Sequence, residues 1–259
     1  SLQEADAIIA AQQQAGTVGQ VGYMKVYDPA YEYAQRTVAA MDDIRFVQVN
    51  HLHPDNALHV RQFTVWHAQD VPAAATEALR AARQATRRQA IGVVPPAVER
   101  AFFTLAGSMI HDLYGLRGLL GVPERVVSAE IWQEGRAITL VLAYASGARC
   151  VATWVDLPKL WDFRETLEVY GDSARVLISY PTGFARGLLT GLTVQGIDAD
   201  GVSYRREPAL DWESAFRREL RHFHACIAEG AACRTPVAAA RDDIALIIAV
   251  IARVLGASG

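Results

Sequence analysis

Residues 125–156, RVVSAEIWQEGRAITLVLAYASGARCVATWVD, decide the fold. Three runs rich in Val, Ile, Thr and aromatic residues, Arg125–Glu134, Arg136–Ala145 and Arg149–Asp156, are separated by Gln133-Glu134-Gly135 and Ala145-Ser146-Gly147. Short β-prone runs divided by glycine-bearing turns predict consecutive hairpins. Toward the C-terminus, Arg164–Tyr170 and Arg175–Tyr180 continue the pattern. Leu189–Ile197 and Val202–Arg206 add a strand pair around Asp198-Ala199-Asp200-Gly201. Upstream, Ile44–Leu52 reads as another strand, and Thr17–Tyr23 as a short one.

Helices bracket these strands. Ser1 and Glu4 have capping-box spacing, with Gly16 as the C-cap of the helix they open. Asp28-Pro29 starts a second helix to about Met41, proline being favoured at the first helical position. Pro54–Thr64 reads as a loop and Ala73–Ala90 as a helix. Pro95-Pro96 breaks it, and one long helix then runs from about Ala97 to Leu120, stopped by Gly121. Trp212–Glu229 and Pro236–Leu255 close the chain. In the last helix Ile244, Ile247, Ile248 and Ile251 recur at helical spacing, as a core-facing helix requires. Runs of strands beside runs of helices predict an α+β fold with a large, mainly antiparallel sheet. The expectation is a single domain over 1–259.

The composition bounds the function. The chain has 259 residues, 51% hydrophobic and 20% charged, which suits a globular protein with a sizeable core. A net charge of −3 gives no nucleic-acid footprint. Arg80, Arg83, Arg87 and Arg88 cluster, but on a helix they read as a solvated face. Cys150, Cys226 and Cys233 are odd in number and show no zinc-type spacing, so reduced thiols in a cytoplasmic protein are expected. The most apolar run, Ile244–Ile251, is too short to span a bilayer, and no membrane partner is expected.

Three stretches carry a family resemblance. Gly22-Tyr23-Met24-Lys25-Val26-Tyr27-Asp28-Pro29-Ala30-Tyr31 resembles the junction after the cofactor domain of the Gfo/Idh/MocA oxidoreductases. His111-Asp112-Leu113-Tyr114-Gly115-Leu116-Arg117-Gly118-Leu119-Leu120-Gly121 resembles that family's histidine helix. Glu213–Phe223, then Arg234-Thr235-Pro236 and a helix bearing Asp242-Asp243, resemble its C-terminal end. The resemblance implies a C-terminal, substrate-binding and oligomerisation domain: an open sheet with helices on one face, without the dinucleotide-binding domain. It implies an NAD(P)-dependent oxidoreductase acting on a polyol, sugar or cyclitol CH–OH group. The whole enzyme would use NAD or NADP, while this chain alone would bind no cofactor. A homo-oligomer through the open sheet face is implied, or a separate subunit bearing the Rossmann domain.

His111 matches the catalytic histidine, whose pKa suits proton exchange with a hydroxyl; the other reading is a packed helix histidine. The relay aspartate expected one turn earlier is replaced by Gly107, with Ser108 the nearest polar residue. Asp112, adjacent in sequence, points about 100° away from His111 on a helix. Val26 stands where the junction carries a basic residue, with Lys25 next to it. Tyr23, Lys25 and Asp112 are nevertheless candidate substrate-side residues. So are Trp154, Asp156 and Trp161, whose rings and carboxylate suit a sugar; their alternative is packing or an interface. His51, His53 and His59 invite a metal reading, but only Asp55 is an evident carboxylate partner, and no metal is expected. His222 and His224 read as surface or packing residues. A second functional class stays open: a naturally stand-alone domain serving as a binding or accessory subunit, or as a nicotinamide-independent isomerase or lyase. Val26 and the missing relay acid motivate it.

Overall fold

The computed structural model describes residues 1–184 and 187–257. Eight strands form one open sheet: β1 (Phe46–His53), β2 (Arg125–Trp132), β3 (Ala137–Ala143), β4 (Arg149–Asp156), β5 (Arg164–Tyr170), β6 (Ala174–Tyr180), β7 (Gly191–Ile197) and β8 (Ser203–Arg206). Their order is β2-β3-β4-β1-β5-β6-β7-β8. Every pairing is antiparallel except β1 with β4. The expected strands from Ile44 onward are thus present, and β1 supplies the centre of the sheet. Because β1 lies between β4 and β5, the β4–β5 connection must cross the end of β1; Leu157 N–H binds His53 O at 2.8 Å as it passes.

The two expected hairpins hold. Gln133 and Glu134 adopt positive φ (49° and 56°) before Gly135 at 84°, while Gly147 closes the second turn at 92°.

The helices are α1 (Leu2–Ala15), α2 (Pro29–Ala39), a short α3 (Ala57–Val60), α4 (Ala73–Ile91), α5 (Pro96–Thr104), α6 (Ile110–Leu120), α7 (Ala215–Ala228) and α8 (Val237–Ala257). Ser1 and Glu4 make the capping box of α1, and Gly16 ends it in the left-handed region. Alternation sorts the sheet into two faces. Val47, Val49, Ala152, Leu167, Val169, Val176 and Ile178 point to one face and are buried. Tyr31 and Ala34 of α2, Leu113 and Leu116 of α6, and Ile247, Val250 and Ile251 of α8 cover them in one cluster. The opposite face, with Gln48, Asn50, Thr153 and Glu168, is half-buried.

Three local expectations are corrected. Thr17–Tyr23 is no strand: only an isolated bridge joins Gln20 to Pro236, and Met24–Tyr27 is a 3-10 turn. The loop at 54–64 contains α3. The long helix at 97–120 is α5 and α6 joined by a π-helical turn, Leu105–Met109, whose extra residue shifts the helix phase just before His111.

Among the described residues, no helix is long and apolar enough to cross a membrane.

Candidate functional site

Strand register builds the floor of the site. Trp154 of β4 pairs with His51 of β1, His51 with Glu165 of β5, and Glu165 with Tyr180 of β6. The four side chains form one row on the helix-covered face, and all are buried. Two further charges reach this row from above. Asp112 descends from α6, and its Oδ2 lies 2.8 Å from His51 Nδ1. Lys25 descends from the 3-10 turn and forms a buried ion pair with Glu165, its ammonium 4.4 Å from the Tyr180 ring centre.

The turn that aims Lys25 is fastened from below. Arg218 Nε donates to Tyr27 O at 2.9 Å and Arg234 Nη2 to Val26 O at 2.6 Å. Both arginines also grip Glu32, each at 2.6 Å. Tyr27 Oη contacts Thr235 Oγ1 at 2.9 Å, and Thr235 Oγ1 donates to Val21 O. On α6, Arg117 holds Asp243 of α8 through two hydrogen bonds of 2.7 and 2.9 Å. These arginine and aspartate positions lie in the stretches singled out in the sequence, and here they lock the elements that present the site.

The charges are unevenly shared. For Asp112, burial alone would raise the carboxyl, but His51 and Lys25 outweigh it and hold it at about 2. Burial pushes Glu165 up to about 7 against the opposing pull of Lys25. Burial, with Lys25 adding repulsion, pushes His111 down to about 4, so it is neutral at physiological pH. His111 Nδ1 contacts Tyr114 Oη at 2.9 Å, Tyr114 Oη accepts from Lys25 N, and its ring stacks on Tyr23 at 4.0 Å between centroids.

The carboxylate contact of Asp112 with His51 Nδ1 fixes a tautomer with the proton on Nδ1. His51 Nε2 is buried and has no hydrogen-bond partner among the described residues. Such orphaned polar atoms are rare in native folds and call for an explanation. The ligand atoms of His51, Asp112 and Glu165 all lie within 4.8 Å of one another, a spacing a metal ion could bridge. Here the Lys25 ammonium supplies the positive charge that two buried carboxylates require.

The sequence-derived residues separate into groups. His111, Asp112, Lys25, Tyr23 and Trp154 converge, and Trp154 Nε1 donates to Ser108 Oγ at 3.0 Å. Asp156, at the end of β4, pairs in register with His53. Trp161 stands apart in the β4–β5 connection, 72% exposed. His51 and Glu165 carry the site without having been singled out for it: His51 entered only the metal reading, and Glu165 no reading. The expectation that only Asp55 could partner the histidines is corrected, because Asp112 and Glu165 sit on elements distant in sequence. The only available signal was an ionisable residue at an inward position of each central strand.

Beside the row lies a cleft of about 780 Å³, whose wall includes Lys25, Met24, Asp28, Tyr180, Thr190 and Trp212. Lys25 therefore joins the buried cluster to open space.

No protein-family model and no curated protein matches the sequence. Solved structures do match its fold. The UDP-N-acetylglucosamine 3-dehydrogenase of Acidithiobacillus ferrooxidans superposes with a TM-score of 0.66 at 15% identity, over 99% of this chain and 68% of that one. The aldose-aldose oxidoreductase of Caulobacter crescentus gives 0.66 at 18%, with the same coverage. A Desulfitobacterium hafniense protein described as an NADPH-dependent oxidoreductase gives 0.71 at 13%, again with 99% and 68% covered. At these identities the likeness is one of fold, and it bears out the expected architecture. The chain has the α+β fold of the C-terminal domain of Gfo/Idh/MocA-type oxidoreductases.

Proposed function

We propose that this chain is the single substrate-binding and oligomerisation domain of an NAD(P)-dependent oxidoreductase acting on a polyol, sugar or cyclitol CH–OH group. The observation that carries the reading is the burial of Lys25, His51, Asp112 and Glu165 together beside a cleft. Buried charges weaken a fold unless they are paired, and clusters of shifted groups at a cleft are a mark of reactive sites. The neighbours' named substrates, an amino-sugar nucleotide and aldoses, belong to the same chemical class.

The residues present do not fit a dinucleotide. Among the described residues, strands pass to helices at β1–α3 and β8–α7, and neither passage carries a glycine to cradle a phosphate at a helix N-terminus. The nicotinamide that takes or gives hydride is therefore assigned to another domain or subunit. This chain's task is the oxygen and its proton. Neutral His111, oriented by Tyr114, presents a lone pair to the substrate hydroxyl and acts as the acid–base group. The Lys25 ammonium stabilises negative charge on that oxygen, as oriented cations do at developing oxyanions. Glu165 holds Lys25, and its pKa of about 7 suits it to receive a proton. Tyr23 and Asp112 position Tyr114 and His51. Trp154, Asp156 and the exposed Trp161 supply stacking and hydrogen-bonding surface for the sugar. The open sheet face serves for self-association.

Calorimetric titration with myo-inositol, glucose and UDP-N-acetylglucosamine tests the reading. Binding of at least one, weakened tenfold or more by Lys25→Met, is expected. A folded protein that binds none of them would overturn it.

A further inference from the structure

The structure brings His222, Cys226 and Cys233 together on the side of α7 away from the cleft. Their sequence spacing resembles no zinc motif, so only the fold brings them together. His222 and Cys226 lie one turn apart on α7, so both face the same way. The chain then turns through Gly230 and returns Cys233 to them. The imidazole nitrogen and both sulfurs lie within 4.8 Å of one another, and His222 Nε2 is 3.3 Å from Cys226 Sγ. Tetrahedral zinc with thiolate and imidazole ligands needs N···S and S···S edges of about 3.6 and 3.8 Å, from bonds of about 2.1 and 2.3 Å.

We propose that His222, Cys226 and Cys233 form a binding site for a zinc-like divalent cation. His222 Nε2 accepts a hydrogen bond from Arg234 N at 3.1 Å, and this bond must give way for the same lone pair to take the ion. The Arg234 guanidinium is committed to Glu32, Val26 O and the face of Tyr27. Cys226 is buried, whereas His222 and Cys233 are half-buried and give the ion a route in. Gln20 Oε1, 3.9 Å from Cys233 Sγ, offers an oxygen for the fourth position. Two thiolates would match the charge of the ion, their protons leaving to solvent on binding. The ion would staple α7 and the 229–235 turn to the Gly19–Tyr27 segment that delivers Lys25, since Cys233 also approaches Gly19 O and the His222 ring packs against Tyr27.

The test is titration of the reduced, chelator-treated protein with Co²⁺, then Zn²⁺ in competition with a chromophoric chelator. One equivalent of cobalt should produce a thiolate-to-metal charge-transfer absorption that zinc abolishes. Cys226→Ser and Cys233→Ser should remove the band, His222→Gln should weaken binding at least tenfold, and Cys150→Ser should change nothing. An ion at His51, Asp112 and Glu165 would lack sulfur and show no such band. Should a cysteine variant fail to fold, alkylation of the wild type decides: zinc should slow modification of Cys226 and Cys233 tenfold or more. Absence of the band in wild type, or its persistence in both serine variants, overturns the proposal.

Discussion

His111 and Glu165 pull the stability of the protein in opposite directions with pH. Native His111 titrates at about 4 against an ordinary value of 6.5. Between those values the unfolded chain binds a proton that the folded one refuses, so acidification from about pH 6.5 to 4 costs stability. Glu165 is the reverse, at about 7 in the fold against 4.5. The native state keeps a proton that the unfolded chain has released, so stability falls as pH rises from about 4.5 to 7. His111→Gln should therefore flatten the acid limb of the Tm profile, and Glu165→Gln should remove the loss toward neutrality. Thermal melts across pH 4–8 check both; parallel profiles for wild type and variants would refute the assignments. Asp112→Ala should cost about 3–5 kcal/mol in chemical denaturation, because it leaves the buried His51 Nδ1–H without its acceptor and removes one of the two carboxylates facing Lys25. In a complete, cofactor-bearing enzyme, His111→Ala should lower turnover roughly 10²–10⁴-fold. At this scale the sequence was informative about residue types but not about partners. His111 and Asp112 were visible through a motif. Glu165 was one acid among 28 acidic residues, and only strand register placed it beside His51.

At the scale of elements, the sheet was the most legible part, because alternation and turn chemistry are local signals. Three misreadings came from tertiary effects. Thr17–Tyr23 reads as a strand, yet it has only the bridge from Gln20 to Pro236, and Met24–Tyr27 after it winds into a 3-10 turn held by Arg218 and Arg234. The π turn before His111 is invisible in a helical pattern that continues through it. The short α3 is a single turn, too brief to leave a periodic signal. The glycines of α6 show how a motif can be structural. Tyr31 of α2 lies against this helix and donates to Gly115 O at 2.8 Å, and a methyl at Gly118 would collide with the same hydroxyl. Gly118→Ala should therefore destabilise by about 1–3 kcal/mol. Gly107, with nothing near its missing side chain, should tolerate alanine with no loss or a small gain in stability. Denaturant midpoints of the two variants compare them directly; an equal effect at both sites would argue against the Tyr31 contact.

For the whole molecule, the sheet has one solvent-facing side and the charged row on the other. The proposed use of the open side is association, which light scattering would detect as a mass of at least twice 28.2 kDa. Calorimetry with NAD and NADP should show no micromolar binding to this chain by itself. The position of β1 bears on how the molecule is made. β2, β3 and β4 are successive neighbours in the chain, as are β5 through β8, so each group can assemble from nearby residues. β1 must be brought in from about a hundred residues upstream to join them. Contacts of such long range form slowly, since loop closure precedes their reward. Until β1 docks, the nascent protein is two unconnected meanders, and His51 is absent from between Trp154 and Glu165. The row of Trp154, His51, Glu165 and Tyr180 is thus continuous only once β1 has docked, so the ligand binding proposed for it would report that step.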